Sequence, residues 1–156
     1  MADYRSAFHA GLEAYSDVER ARREIDEVFQ ELARGVQDVS DGHVAIHRRE
    51  KNSVIGVMRA LQKTIAPWIT QFEESLVLVA TGRNEQDFEV LCAYWLGERG
   101  YPVNIIYGRR NVACHDRESL EKGLQDLLEH PDTGGKLGRL MSGDRTSASG
   151  AAPPQQ

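Results

Sequence analysis

Apolar positions recur at alternating spacings of four and three from Tyr4 to Val36, through Phe8, Gly11, Tyr15, Val18, Arg22, Ile25, Phe29 and Leu32. This is the heptad stripe of a helix, faulted at Gly11 and Arg22. A continuous helix over this span would be roughly 50 Å long, beyond the ~30 Å width of a small domain, so it must project, pair or break. The stretch "SDVE" carries a break signal, because Ser16 three residues before Glu19 has capping-box spacing. If the helix projects, Ile25, Phe29, Leu32 and Val36 form a self-association face. If it breaks near Ser16, those residues fold onto their own domain. The projecting version is the working expectation.

The pattern then changes period. After the turn chemistry of Asp41-Gly42, Val44 and Ile46 alternate with polar neighbours, which predicts a strand over residues 43–49. Val54, Val57, Met58, Leu61 and Ile65 suit a helix to about Thr64, with Pro67 ending it. "SLVLVATG", residues 75–82, is a continuous apolar run of strand length, the pattern of a strand buried on both faces. Beyond it Phe88, Leu91, Cys92, Trp95 and Leu96 fall at i, i+3, i+4, i+7 and i+8 behind the acidic turn Glu85-Gln86-Asp87, which predicts an amphipathic helix stopped by Gly100 and Pro102. "PVNIIYG" reads as the next strand. Strand, helix and strand in succession predict a βαβ crossover with two parallel strands. "GRRN" then separates Val103–Tyr107 from "VACH" as a hairpin would, and Leu120, Leu124, Leu127 and Leu128 share one face of a helix from about Arg117 to His130, with Pro131 as its stop.

These elements amount to an α/β or α+β domain. It has a small mixed sheet with a βαβ unit and a C-terminal hairpin-plus-helix, preceded by a long N-terminal amphipathic helix. The helical segment covers residues 1–38 and the core domain residues 39–141. The Ser, Ala, Gly, Pro and Gln tail over residues 142–156 has no apolar anchor and reads as disordered.

Composition adds to this picture mainly by exclusion. A hydrophobic share of 40% and a charged share of 28% are globular values. No apolar run reaches the roughly 18 residues of a membrane span and the N-terminus lacks a signal-peptide layout, so the expected compartment is the cytoplasm. The two cysteines, Cys92 and Cys114, are too few for a disulfide framework and fit a reducing compartment. The net charge of -5 is uneven, at -5 over residues 1–41, +4 over residues 42–64 and -4 beyond. Nucleic-acid binding is therefore disfavoured overall, and one locally basic stretch remains.

Each candidate chemistry competes with a structural role. Cys114, His115 and Asp116 are residue types that cysteine hydrolases use, but neighbours on a strand point to opposite faces, so Cys114 and His115 cannot pair. Asp116 is better placed to cap the following helix through the N–H of Glu118 or Ser119, with Cys114 facing the core. His43 and His47 have the spacing of a helical metal pair, yet on a strand they lie roughly 13 Å apart. No metal, cofactor or catalytic residue is expected.

The turn after the second strand, Thr81, Gly82, Arg83 and Asn84, is the best anion-binding candidate if a helix starts there, with Arg109 or Arg110 as a clamp. Arg48, Arg49 and Lys51 could join Arg109 and Arg110 in a basic patch if their strands are near each other. The leading functional expectation is a non-enzymatic cytoplasmic binding or regulatory protein, of inhibitor, immunity or accessory-subunit type, contacting another protein and self-associating through its N-terminal helix. The alternatives are a nucleotide- or phosphate-binding small enzyme or sensor using the Thr81–Asn84 turn and, more weakly, nucleic-acid binding through the basic residues.

Overall fold

The computed structural model describes residues 1–70, 75–84 and 86–142. A long helix, α1 (Tyr4–Val39), leads into β1 (Ala45–Glu50) and α2 (Lys51–Ala60), followed by a short 3-10 turn at Pro67–Ile69. Four strands come next: β2 (Leu76–Thr81), β3 (Phe88–Gly97), β4 (Gly100–Tyr107) and β5 (Arg110–Cys114). Two helices, α3 (Arg117–Glu129) and α4 (Pro131–Ser142), complete the described chain. The result is a mixed α+β fold. The sheet is an antiparallel meander in the order β1-β2-β3-β4-β5.

The expected βαβ unit is corrected here: residues 88–97 are a strand, and no parallel pair joins β2 to β4. Val79 faces Val90 and Leu78 faces Cys92, so Leu91 is an extra residue bulged out of the ladder. A bulge reverses the strand's alternation. Phe88 and Val90 lie in the core on one face of the sheet, Leu91, Cys92 and Tyr94 in the core on the other, and the two runs together mimic a helical period. Because both faces of β3 are covered, nearly every residue in it is apolar, which left no polar positions to reveal a period of two.

The larger core lies between the sheet and α1, α3 and α4, and includes Ile25, Phe29, Leu78, Tyr94, Ile105, Leu120 and Leu127. The smaller core lies under α2 and the 3-10 turn, with Val54, Ile55, Met58 and Ile69 against Val77, Val79 and Val90.

α1 does not break at Ser16. An N-cap residue must leave helical geometry, and here one capping signal does not outweigh the helix-favouring Ala, Glu and Arg around it. At 1.5 Å per residue its 36 residues span about 54 Å. The helix ends where Gly42, at φ +80°, lets its N–H reach the Gln37 carbonyl, and Ser40 turns its hydroxyl to the Val44 backbone. α3 starts as expected: Asp116 accepts from the Ser119 N–H at 2.8 Å, and the Ser119 hydroxyl lies 3.1 Å from the Asp116 N–H, closing a capping box. α4 was not expected, because Gly134, Gly135 and Gly138 are poor helix formers; it is held by Leu140 in the core. The tail expected to be disordered, residues 142–156, lies outside the described residues apart from Ser142, which ends α4.

Candidate functional site: the projecting half of α1

α1 has two halves with different surroundings. From Ile25 to Val36 the apolar positions are Ile25, Val28, Phe29, Leu32, Ala33 and Val36, a broad face that suits packing on a sheet. Ile25 and Phe29 are buried in the chain's own core, and Leu32 and Val36 pack against it. Ile25 and Phe29 are therefore not available to the self-association face expected of these four residues, while Leu32 and Val36 are only partly covered.

Polar contacts reinforce this packing. Asp26 pairs with Arg48 at 2.7 Å, Glu27 and Glu31 pair with Arg117, and the Tyr101 hydroxyl donates to Glu24 at 2.7 Å. Four acidic side chains of α1, Glu24, Asp26, Glu27 and Glu31, thus have partners within the domain.

N-terminal to Ala21 the helix runs out past the sheet, sharing only a shallow cleft between Arg99 and the side that carries Ala10, Ala14 and Val18. Gly100, the first residue of β4, sits so close to Ala21 that an added Cβ would lie 3.0 Å from the Ala21 Cβ. Beyond that contact Tyr4, Phe8, Leu12 and Tyr15 are exposed at 81%, 65%, 53% and 65%. They form one narrow stripe, separated by the small residues Ala7, Ala10, Gly11 and Ala14. A narrow stripe at spacings of four, four and three is the pattern of a helix–helix contact rather than of a domain core. Asp3 anchors the free end, accepting from the Ser6 N–H at 3.1 Å and the Ser6 hydroxyl at 2.7 Å. Tyr4, Phe8 and Tyr15 were on the stripe legible in the sequence; what could have singled them out is that small residues, Ala7, Ala10, Gly11 and Ala14, stand between them where the other half of the helix carries Val28 and Leu32.

The anion-binding residues are not brought together. The turn after Thr81 leads into a strand, so no helix N-terminus faces it, and three of its N–H groups are bonded within the turn: Gly82 donates to Asp87 O, Gln86 to Asn84 Oδ1 and Asp87 to Asn84 O. Thr81 bonds His47, and Arg83 donates to His43 Nε2, while His43 Nδ1 donates to Ser40 O. Arg110 begins β5, three strand spacings from Thr81, or roughly 14 Å, and Arg109 sits in the turn before it. The basic patch is likewise corrected, because β1 and β5 are opposite edges of the sheet. Arg48 is held beneath α1, and Lys51 is buried.

Cys114 is buried and His115 exposed, as strand alternation requires, and burial pushes the Cys114 thiol up to about 11. Among the described residues no cluster of three His, Cys, Asp or Glu could hold a metal, and no helix is long and apolar enough to cross a membrane. Comparison with protein-family models, with curated proteins and with solved structures finds no match to this chain.

Proposed function

We propose that this protein is a small binding or accessory protein that acts by protein–protein contact, and that the projecting half of α1 pairs with the same segment of a second copy. The observation that carries the reading is the exposed stripe Tyr4, Phe8, Leu12 and Tyr15, since large apolar side chains in a contiguous exposed row mark an interaction surface.

An antiparallel pair centred on Gly11 is self-complementary. It sets Tyr4 against Val18, Phe8 against Ala14 and Arg5 against Asp17, with Tyr15 one position from the partner's Phe8, and Gly11 with no side chain lets the helices approach at the two-fold axis. The two domains then sit at opposite ends, the helices parting at Ala21 about 30 Å apart. Such a pair buries roughly 1,000 Å² in total, the lower limit for a specific interface, so the dimer dissociates on dilution. Two buried, unpaired thiols support a reducing, cytoplasmic setting.

Light scattering coupled to size-exclusion chromatography tests the reading. The expected mass at high concentration is twice the 17.5 kDa of one chain. Phe8→Asp should give a monomer at every concentration with an unchanged melting midpoint, because Phe8 touches little of its own domain. A wild-type protein that stays monomeric, or a dimer that survives Phe8→Asp, would overturn the proposal.

A further inference from the structure

A second site lies at the other end of the chain. A cleft of about 260 Å³ runs between α4 and the β4–β5 turn, lined among others by Trp68, Tyr107, His130, Thr133, Lys136 and Arg139. We propose that this cleft binds a small oxyanion, an inorganic phosphate or the phosphate of a small monoester.

Four observations converge on it. Thr133, Lys136 and Arg139 are spaced by three on α4, so a hydroxyl and two cations line the cleft from one helix. The first turn of α4, at Pro131, Asp132 and Thr133, also lines it and brings the positive end of the helix dipole. Tyr107 is 4% exposed and its hydroxyl has no hydrogen-bond partner, and the buried Arg139 Nε has none either. Among the described residues these are the two buried side-chain polar atoms without a partner, and both belong to residues of this one cleft. Native proteins rarely leave such groups unpaired without a bound species to explain them.

The existing contacts leave the cations underused. Lys136 donates to Val90 O at 2.8 Å and lies 5.5 Å from the centre of the Trp68 ring, while Arg139 is 3.5 Å from Glu89. Burial lowers the Lys136 pKa even though Glu89 and Asp132 raise it, and a bound anion would oppose that loss of solvation. Asp132 is 80% exposed and turned largely to solvent. The volume falls below the roughly 300–1,000 Å³ of sites for drug-sized ligands, which favours phosphate with little attached.

Calorimetric titration of the full chain with inorganic phosphate and with glycerol 3-phosphate, at constant ionic strength, tests this. The expected result is saturable one-site binding, with a preference for the free ion or the monoester identifying the source. Tyr107→Phe removes only an unpaired hydroxyl, so it should keep its circular dichroism spectrum and melting midpoint while weakening binding about 10-fold or more, as should Lys136→Gln. Arg83→Ala, outside the cleft, should bind as the wild type does. Absence of saturable heat up to about 10 mM of either probe, or wild-type affinity in either cleft variant, overturns the proposal.

Discussion

The guanidinium of Arg48 lies over the ring of Phe29, its Cζ 4.5 Å from the ring centre, and fastens α1 to the sheet. The same side chain donates from Nε to the Tyr94 hydroxyl at 2.7 Å and pairs with Asp26 at 2.7 Å, while Phe29 and Tyr94 pack with ring centres 4.9 Å apart.

Truncating Arg48 removes all three contacts and strands a Tyr94 hydroxyl whose pKa burial already raises. Arg48→Ala should lower unfolding stability by about 2–3 kcal/mol in a urea titration. Tyr94→Phe, which keeps the ring contact and the ion pair, should cost about 1 kcal/mol. An Arg48→Ala midpoint indistinguishable from wild type would remove this triad from the account of how α1 is held.

Gly100 combines a φ of +97° with the close approach to Ala21. Gly100→Ala should therefore destabilise by about 1–3 kcal/mol, from backbone strain and from collision with α1. Adding Ala21→Gly relieves the collision but not the strain, so thermal melts of the double variant should recover only part of the loss. Full recovery would show that the backbone conformation costs nothing.

Burial pushes the Cys92 thiol up to about 12 and, with help from Asp116, the Cys114 thiol up to about 11, from an ordinary 9.0. Both groups stay protonated in the folded chain at pH values where the unfolded chain ionises. Their contribution is therefore complete below pH 9 and is lost as pH rises from there through the folded values. Urea midpoints should fall between pH 8.5 and 10.5, less steeply in Cys92→Ala, and native thiols should react slowly with alkylating agents. A midpoint flat in pH would contradict the buried, protonated state.

Elements with a polar face were readable in the sequence. Leucine periodicity and Asp116 marked α3, and the Cys114–His115 alternation placed the cysteine inward and the histidine outward. The turn residues at Asp41-Gly42 and Gly108 marked real reversals. β3 was misread because it is apolar on both sides and bulged at Leu91. With that strand misassigned, the sheet's direction and the role of the turn after Thr81 were misassigned too. The cleft by α4 had no sequence signal at all, since its residues come from four separate segments and its helix is rich in glycine.

By itself, then, the sequence determined the long amphipathic helix, the strand-rich middle and the capped C-terminal helix, because each depends on periodicity and capping within a few turns of chain. Which half of α1 is covered was decided only by the tertiary structure. Where the sheet passes beneath Ile25 and Phe29 the stripe becomes core, and where the sheet ends at Ala21 the same stripe, from Tyr15 back to Tyr4, is left facing water.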